Sequence, residues 1–170
     1  GCNGLIYRNF QPGWCFSIYL APHNYHRVHS PINGLLKSIT YIPGKLWPVN
    51  RYFSQIVPNL FIQNERVVLE IAHKIGTVYL VMIGAFNVGR IIINNYPSFI
   101  TNSFKKQFDG KIKYKLIKPH QQLSIGDEIG MFCLGSTVVV IFDQNFCNEY
   151  KFMQITSDKY PIKFGEKIVC

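Results

Sequence analysis

The chain has 170 residues, 18 of them Lys or Arg and only 9 Asp or Glu, for a formal charge of +9 at neutral pH. Its length suits one domain able to bury its own core. With 48% hydrophobic and 16% charged residues, it excludes intrinsic disorder, collagen-like repeats and coiled coils.

The first residue is Gly, and no basic stretch followed by an apolar one marks a signal peptide. The chain is therefore expected to begin part-way through a longer gene product. Residues 21–31, APHNYHRVHSP, hold His23, His26 and His29, three of the five histidines. Pro22 suits the first turn of a short helix that Pro31 would stop, with His26 and His29 on one face. Residues 48–66 are irregular, with room for a helical turn. Val67–Ile71, Val78–Ile83 and Val88–Ile93 are rich in β-branched and aromatic residues and separated by glycines, which predicts strands and tight turns. The apolar stretch from Val78 to Ile93 is broken by Asn87 and Arg90 and falls short of the roughly 20 apolar residues a spanning helix needs. Asp109-Gly110 predicts a hairpin turn. After it Lys111, Lys113 and Lys115 alternate with Ile112, Tyr114 and Leu116, either as a solvated edge or as a basic face for anionic headgroups. Val138–Phe142 predicts a buried strand. The class is mainly β, an α+β domain with few short helices, compact and barrel-like.

Two segments could carry chemistry. The histidines allow three readings: side chains without chemistry, zinc ligands at helical spacing, or acid–base catalysts near neutral pH. No HExxH and no matching acidic ligand accompanies them, so no metal is expected. The second segment is Gly135-Ser136, directly before the predicted buried strand. Glycine lets its carbonyl be approached closely. An activated Ser136 hydroxyl could attack that carbonyl and convert the amide to an ester. Loss of the α-proton would expel the ester, and hydrolysis of the resulting dehydroalanine would leave a pyruvoyl group. A Gly-Ser pair alone is a common turn. The five cysteines, at 2, 15, 133, 147 and 170, form no CxxC and are odd in number, which predicts a reduced protein. Cys133 is expected to be a small buried packing residue.

The two segments occur together in an order that resembles the phosphatidylserine decarboxylase family. YLAPHNYHRVHSPINGLL (19–36) resembles its histidine motif, and YIPGKLWPVN (41–50) and PNLFIQNERVV (58–68) the segment that follows. VMIGAFNVGRI (81–91) resembles a further block, LGST (134–137) the self-cleavage site, and KFGEKI (163–168) the C-terminal strand. The resemblance implies one catalytic domain over 1–170. It is cut between Gly135 and Ser136 into a β-chain portion, 1–135, and an α chain, 136–170. It implies that Ser136 becomes a covalent pyruvoyl cofactor. His29 would be the relay base for cleavage, and His26 a decarboxylation residue. The pyruvoyl carbonyl would form a Schiff base with the substrate amine and act as an electron sink, turning phosphatidylserine into phosphatidylethanolamine and CO2.

The implied partners are phosphatidylserine, an anionic membrane surface and the two chains of one proenzyme, with a homo-oligomer left open. The implied location is peripheral, on the cytoplasmic side of the cell membrane. Nucleic acid is not expected, because the basic residues are dispersed and accompany no nucleic-acid motif. The family's relay Asp, in a segment upstream of the histidine motif, has no counterpart here. The alternatives are a non-enzymatic β-rich lipid-binding or carrier-like module, suggested by the GDEIG turn (126–130), and a zinc hydrolase using His23, His26 and His29.

Overall fold

A computed structural model describes residues 12–86, 90–97, 101, 115–152 and 160–168. Among the described residues there are ten strands and three short helices. The strands are β1 (Pro12–Leu20), β2 (Arg27–His29), β3 (Gly34–Ile42), β4 (Arg66–Ala72), β5 (Thr77–Ile83), β6 (Ile91–Ile93), β7 (Lys115–Ile117), β8 (Gln121–Leu123), β9 (Glu128–Phe132) and β10 (Ser136–Asp143). The helices are α1 (Arg51–Ile56), α2 (Leu60–Gln63) and α3 (Gln144–Glu149). The mainly β expectation holds. The main sheet runs β1-β10-β5-β4-β3-β7, with β8 also on β3, and among the described residues it does not close into a barrel. A second sheet runs β2-β9-β6. All their strand pairs are antiparallel.

β-branched runs explain the central strands, because branched side chains pack well on a pleated surface. β4 and β5 form a hairpin in which the amide of His73 donates to the carbonyl of Gly76 at 2.8 Å. One face of the main sheet sends Phe16, Ile39, Val67, Leu69, Leu80, Met82, Val138, Val140 and Phe142 into the main core. The opposite face carries a smaller cluster of Ile42, Val68 and Tyr79. Asp143 closes β10 and caps α3, accepting from the amides of Asn145 and Phe146, while its other oxygen accepts from Thr77 at 2.7 Å. That single carboxylate ties the end of β10 to the start of β5 and satisfies amides that a helix start leaves unpaired.

The segment 21–31 is not the expected helix. Residues 22–24 turn, the amide of Asn24 donates to the carbonyl of Ala21 at 2.9 Å, and β2 follows. Proline at both ends leaves too few residues to repay helix nucleation, and pairing with β9 claims the backbone instead. His26 lies in the loop before β2 and His29 ends that strand, after a register irregularity at Val28 and His29, so the two do not share a helical face. The hairpin at 109–110 and the lysine face at 111–115 lie outside the described residues or side chains.

Candidate active site

Ser136 opens β10 and is fully buried. β10 is an interior strand, with Leu20 of β1 opposite Ser136 and Ile83 of β5 opposite Thr137. The hydroxyl of Ser136 donates to the carbonyl of Ile83. Its proton is thus directed at β5, and not at an imidazole. Beside it, the Oγ1 of Thr137 is buried without a hydrogen-bond partner.

Gly135 lies directly on the start of the histidine segment. A Cβ there would come within 2.6 Å of the Leu20 carbonyl oxygen and 2.9 Å of the Pro22 nitrogen, closer than real side chains pack. Only glycine allows this approach. The two motifs are more than 100 residues apart in sequence, and here their backbones are in contact.

The two imidazoles are held in different ways. His26 Nε2 bonds the Pro22 carbonyl at 3.0 Å. A carbonyl can only accept, so that nitrogen carries the proton. His26 Nδ1 is buried and without a partner, and in the neutral ring it is an acceptor. The backbone carbonyl of His26 accepts from Phe132 at 3.0 Å, which fastens the loop to β9. His29 has Nδ1 on the Gly126 carbonyl at 2.7 Å. Its Nε2 is therefore the acceptor, and it takes the Tyr25 hydroxyl at 2.7 Å. The His29 ring stacks on Tyr25 and lies 4.3 Å from the ring of Phe164, near the end of the chain. His23 is exposed. Among the described residues no three His, Cys, Asp or Glu side chains gather as a metal site would require. Cys133 is exposed, not buried as expected; it sits in the turn between β9 and β10, outside the core.

A profile of the family described as phosphatidylserine decarboxylase matches residues 2–170. The chain belongs to the phosphatidylserine decarboxylase family. Similar relatives are the phosphatidylserine decarboxylase proenzymes of Legionella pneumophila strain Corby, 39% identical over 83% of this chain and 48% of the relative; of Plasmodium falciparum, 38% identical over 88% and 41%; and of Campylobacter jejuni, 37% identical over 98% and 56%. The chain spans about half the length of the curated relatives it matches.

The fold adds features that the motifs did not show. Tyr25, Gly126 and Phe164 surround His29. An apolar cleft of about 460 Å³ is lined by Lys45, Leu46, Trp47, Pro48, Phe53 and Phe86. Its Leu46 reaches within 3.2 Å of where a Cβ on Gly84 would stand, so one lining side chain packs beside the residue that follows Ile83, the acceptor of the Ser136 hydroxyl. Lys45 holds its ammonium 5.5 Å from the centre of the Trp47 ring. Residues 45–48 of YIPGKLWPVN thus form one wall of the cleft. The signal for it was the run of Leu46, Trp47 and Pro48 in a segment without helix or strand periodicity.

Proposed function

We propose that this chain is the part of a phosphatidylserine decarboxylase that cuts itself between Gly135 and Ser136 and then decarboxylates phosphatidylserine. The observation that carries it is the contact of Gly135 with Leu20 and Pro22, which brings the self-cleavage motif and the histidine motif to one point of the fold. In the cleavage, the Ser136 hydroxyl adds to the Gly135 carbonyl and the C–N bond breaks, so the amide becomes an ester while the proton moves from oxygen to nitrogen. Removal of the Ser136 α-proton then expels Gly135 as a carboxylate. Addition of one water and release of one ammonia complete the pyruvoyl group. That group supplies an electron sink for loss of CO2 from an amino-acid headgroup.

The chain's own residues do the rest. His29 is the base for cleavage: its Nε2 lone pair is held by the carbonyl on Nδ1, and it becomes available when Tyr25 releases it. His26 presents the unpartnered Nδ1 to the carboxylate or to the carbon that gains a proton. A buried polar atom without a partner carries a desolvation cost, and a ligand group meeting it would remove that cost. The apolar cleft takes the hydrocarbon part of the lipid, and Lys45 stands at its rim for the phosphate. The substrate lies in an anionic membrane, where +9 of charge favours association. No helix among the described residues is long and apolar enough to cross a membrane, and the location proposed is peripheral.

Mass spectrometry of the full-length protein tests the proposal. The wild type should give two pieces, the smaller beginning at residue 136 without a free amine, and Ser136→Ala should give one uncut, inactive chain. An active preparation whose intact mass is that of an uncut chain would overturn it.

A further inference from the structure

Glu65 is a buried acid, only 2% exposed, and no step above uses it. Thr137 and Arg66 both stand opposite Ile83, on the two sides of β5. Continuing those registers by one residue sets Ser136, Gly84 and Glu65 in a single row across β10, β5 and β4. The outer two are two strand steps apart, about 10 Å at roughly 4.8 Å per step. Strand alternation sends their side chains to the same face. Between them Gly84 has no side chain, and the Glu65 side chain leans over it: a Cβ on Gly84 would be 2.8 Å from Glu65 Cγ and 3.1 Å from Oε1.

The backbone at this point is fixed from several sides. The Gly84 amide donates to the Glu65 carbonyl at 2.8 Å, and the Asn64 side-chain amide donates to the Gly84 carbonyl at 2.9 Å. Glu65 is itself anchored, its amide donating to the Lys45 carbonyl at 2.8 Å. Its carboxyl accepts the Tyr41 hydroxyl at 2.9 Å and a hydroxyl from Thr101. Burial pushes the carboxyl above the usual range, and those two hydrogen bonds pull it part of the way back. An apolar residue would fill this space without the cost of burying an acid.

We propose that Glu65 is a positioning residue for the cleavage junction: its side chain, anchored by the Tyr41 hydroxyl, packs over Gly84 and so fixes the Ile83 carbonyl on which the Ser136 hydroxyl rests. The proposal builds on the self-cleavage at Gly135–Ser136. It assigns Glu65 to the first step, alignment of the hydroxyl with the Gly135 carbonyl, where small displacements are costly because the attack needs a near-contact geometry.

The test follows cleavage of freshly synthesised full-length protein by intact mass, with and without neutral hydroxylamine, which traps the ester as a Gly135 hydroxamate. Glu65→Leu removes the hydrogen bonds at similar volume and should slow cleavage by about tenfold or more, with proportionately less hydroxamate at early times. Glu65→Gln, which can still accept from Tyr41, should fall between Leu and wild type. Tyr41→Phe, which removes a single donor, should slow cleavage by about fivefold or less. Unfolding midpoints in a Ser136→Ala background identify any variant that fails to fold, and Tyr41→Phe and Glu65→Gln carry the test if Glu65→Leu is one. A wild type that cuts beside folded Glu65 variants that cut equally fast overturns the role of Glu65 alone. So does a variant with normal hydroxamate but slow loss of the ester, because its defect then lies after alignment. A wild type that never cuts overturns the self-cleavage reading itself.

Discussion

At Ser136 the chain is held by β1 on one side and β5 on the other, in the interior of a seven-stranded sheet. At His29 it is the last residue of a three-residue strand with a single neighbour, β9, and the ring is kept in place by one carbonyl, one phenol and one phenylalanine. The ladder leaves the serine no freedom except rotation of its own hydroxyl. The histidine depends on two side chains and one backbone carbonyl from three separate stretches of sequence, all of them loops or turns. The proposed cleavage would use a fixed hydroxyl at Ser136 and an adjustable imidazole at His29, and the two surroundings differ in that sense. Gly135, lying on Leu20 and Pro22, is the point where the rigid part meets the adjustable one.

Substitutions on the adjustable side should separate the steps of the reaction most widely. His29→Ala is expected to slow cleavage at 135/136 by about 10²–10⁴-fold, the usual scale for losing a general base. His26→Ala should still cut and should lose decarboxylation by a similar factor. Quantifying pieces by mass and product by lipid chromatography checks both, and equal cleavage in the two variants would show that the histidines do not divide the work. Gly135→Ala acts on the meeting point. Its methyl group would stand 2.6 Å from the Leu20 oxygen, and the strain should cost about 1–3 kcal/mol in urea unfolding of an uncleavable Ser136→Ala background.

The smallest expected effect is on the second sheet. The carboxyl of Glu128 is held below its ordinary range first by the Asn94 side-chain amide and then by Arg27, 2.6 Å away. A lowered acid contributes stability above its unfolded value, and that contribution is lost as pH falls through the folded one. Arg27→Ala should therefore lower the melting temperature slightly at neutral pH, and the difference from wild type should vanish in acid. An exposed pair of this kind is worth little. A large loss would mean that the histidine sheet is held more tightly than its few contacts indicate.

The strands at 66–72, 77–83 and 136–143 were legible because β-branched runs bounded by glycine leave few alternatives. The histidine segment was not. A spacing of three fits a helical turn, and only pairing with β9, about 100 residues away, decides for a strand. The key residues of the motifs, Gly135 and Ser136, could be named from sequence, but their contact with residues 20–22 could not. Glu65 could have been found by counting back in twos from Leu69 and Val67, which places it on the core face of the same strand. Its position beside Ser136 also needs the register of three strands, and no local pattern contains that. The open edges of the main sheet follow from which strands pair, which a list of strands does not specify.

The place of β10 between β1 and β5 also bears on what a cut at its first residue would do. The new chain end would belong to a strand zipped on both sides, with Val138, Val140 and Phe142 still in the core and Asp143 still bridging to β5 and α3. Pulling the smaller piece away would mean extracting the middle of the sheet, so parting the two pieces and unfolding them are one event. The two chains would then come apart only by unfolding, an event that the cut makes concentration-dependent.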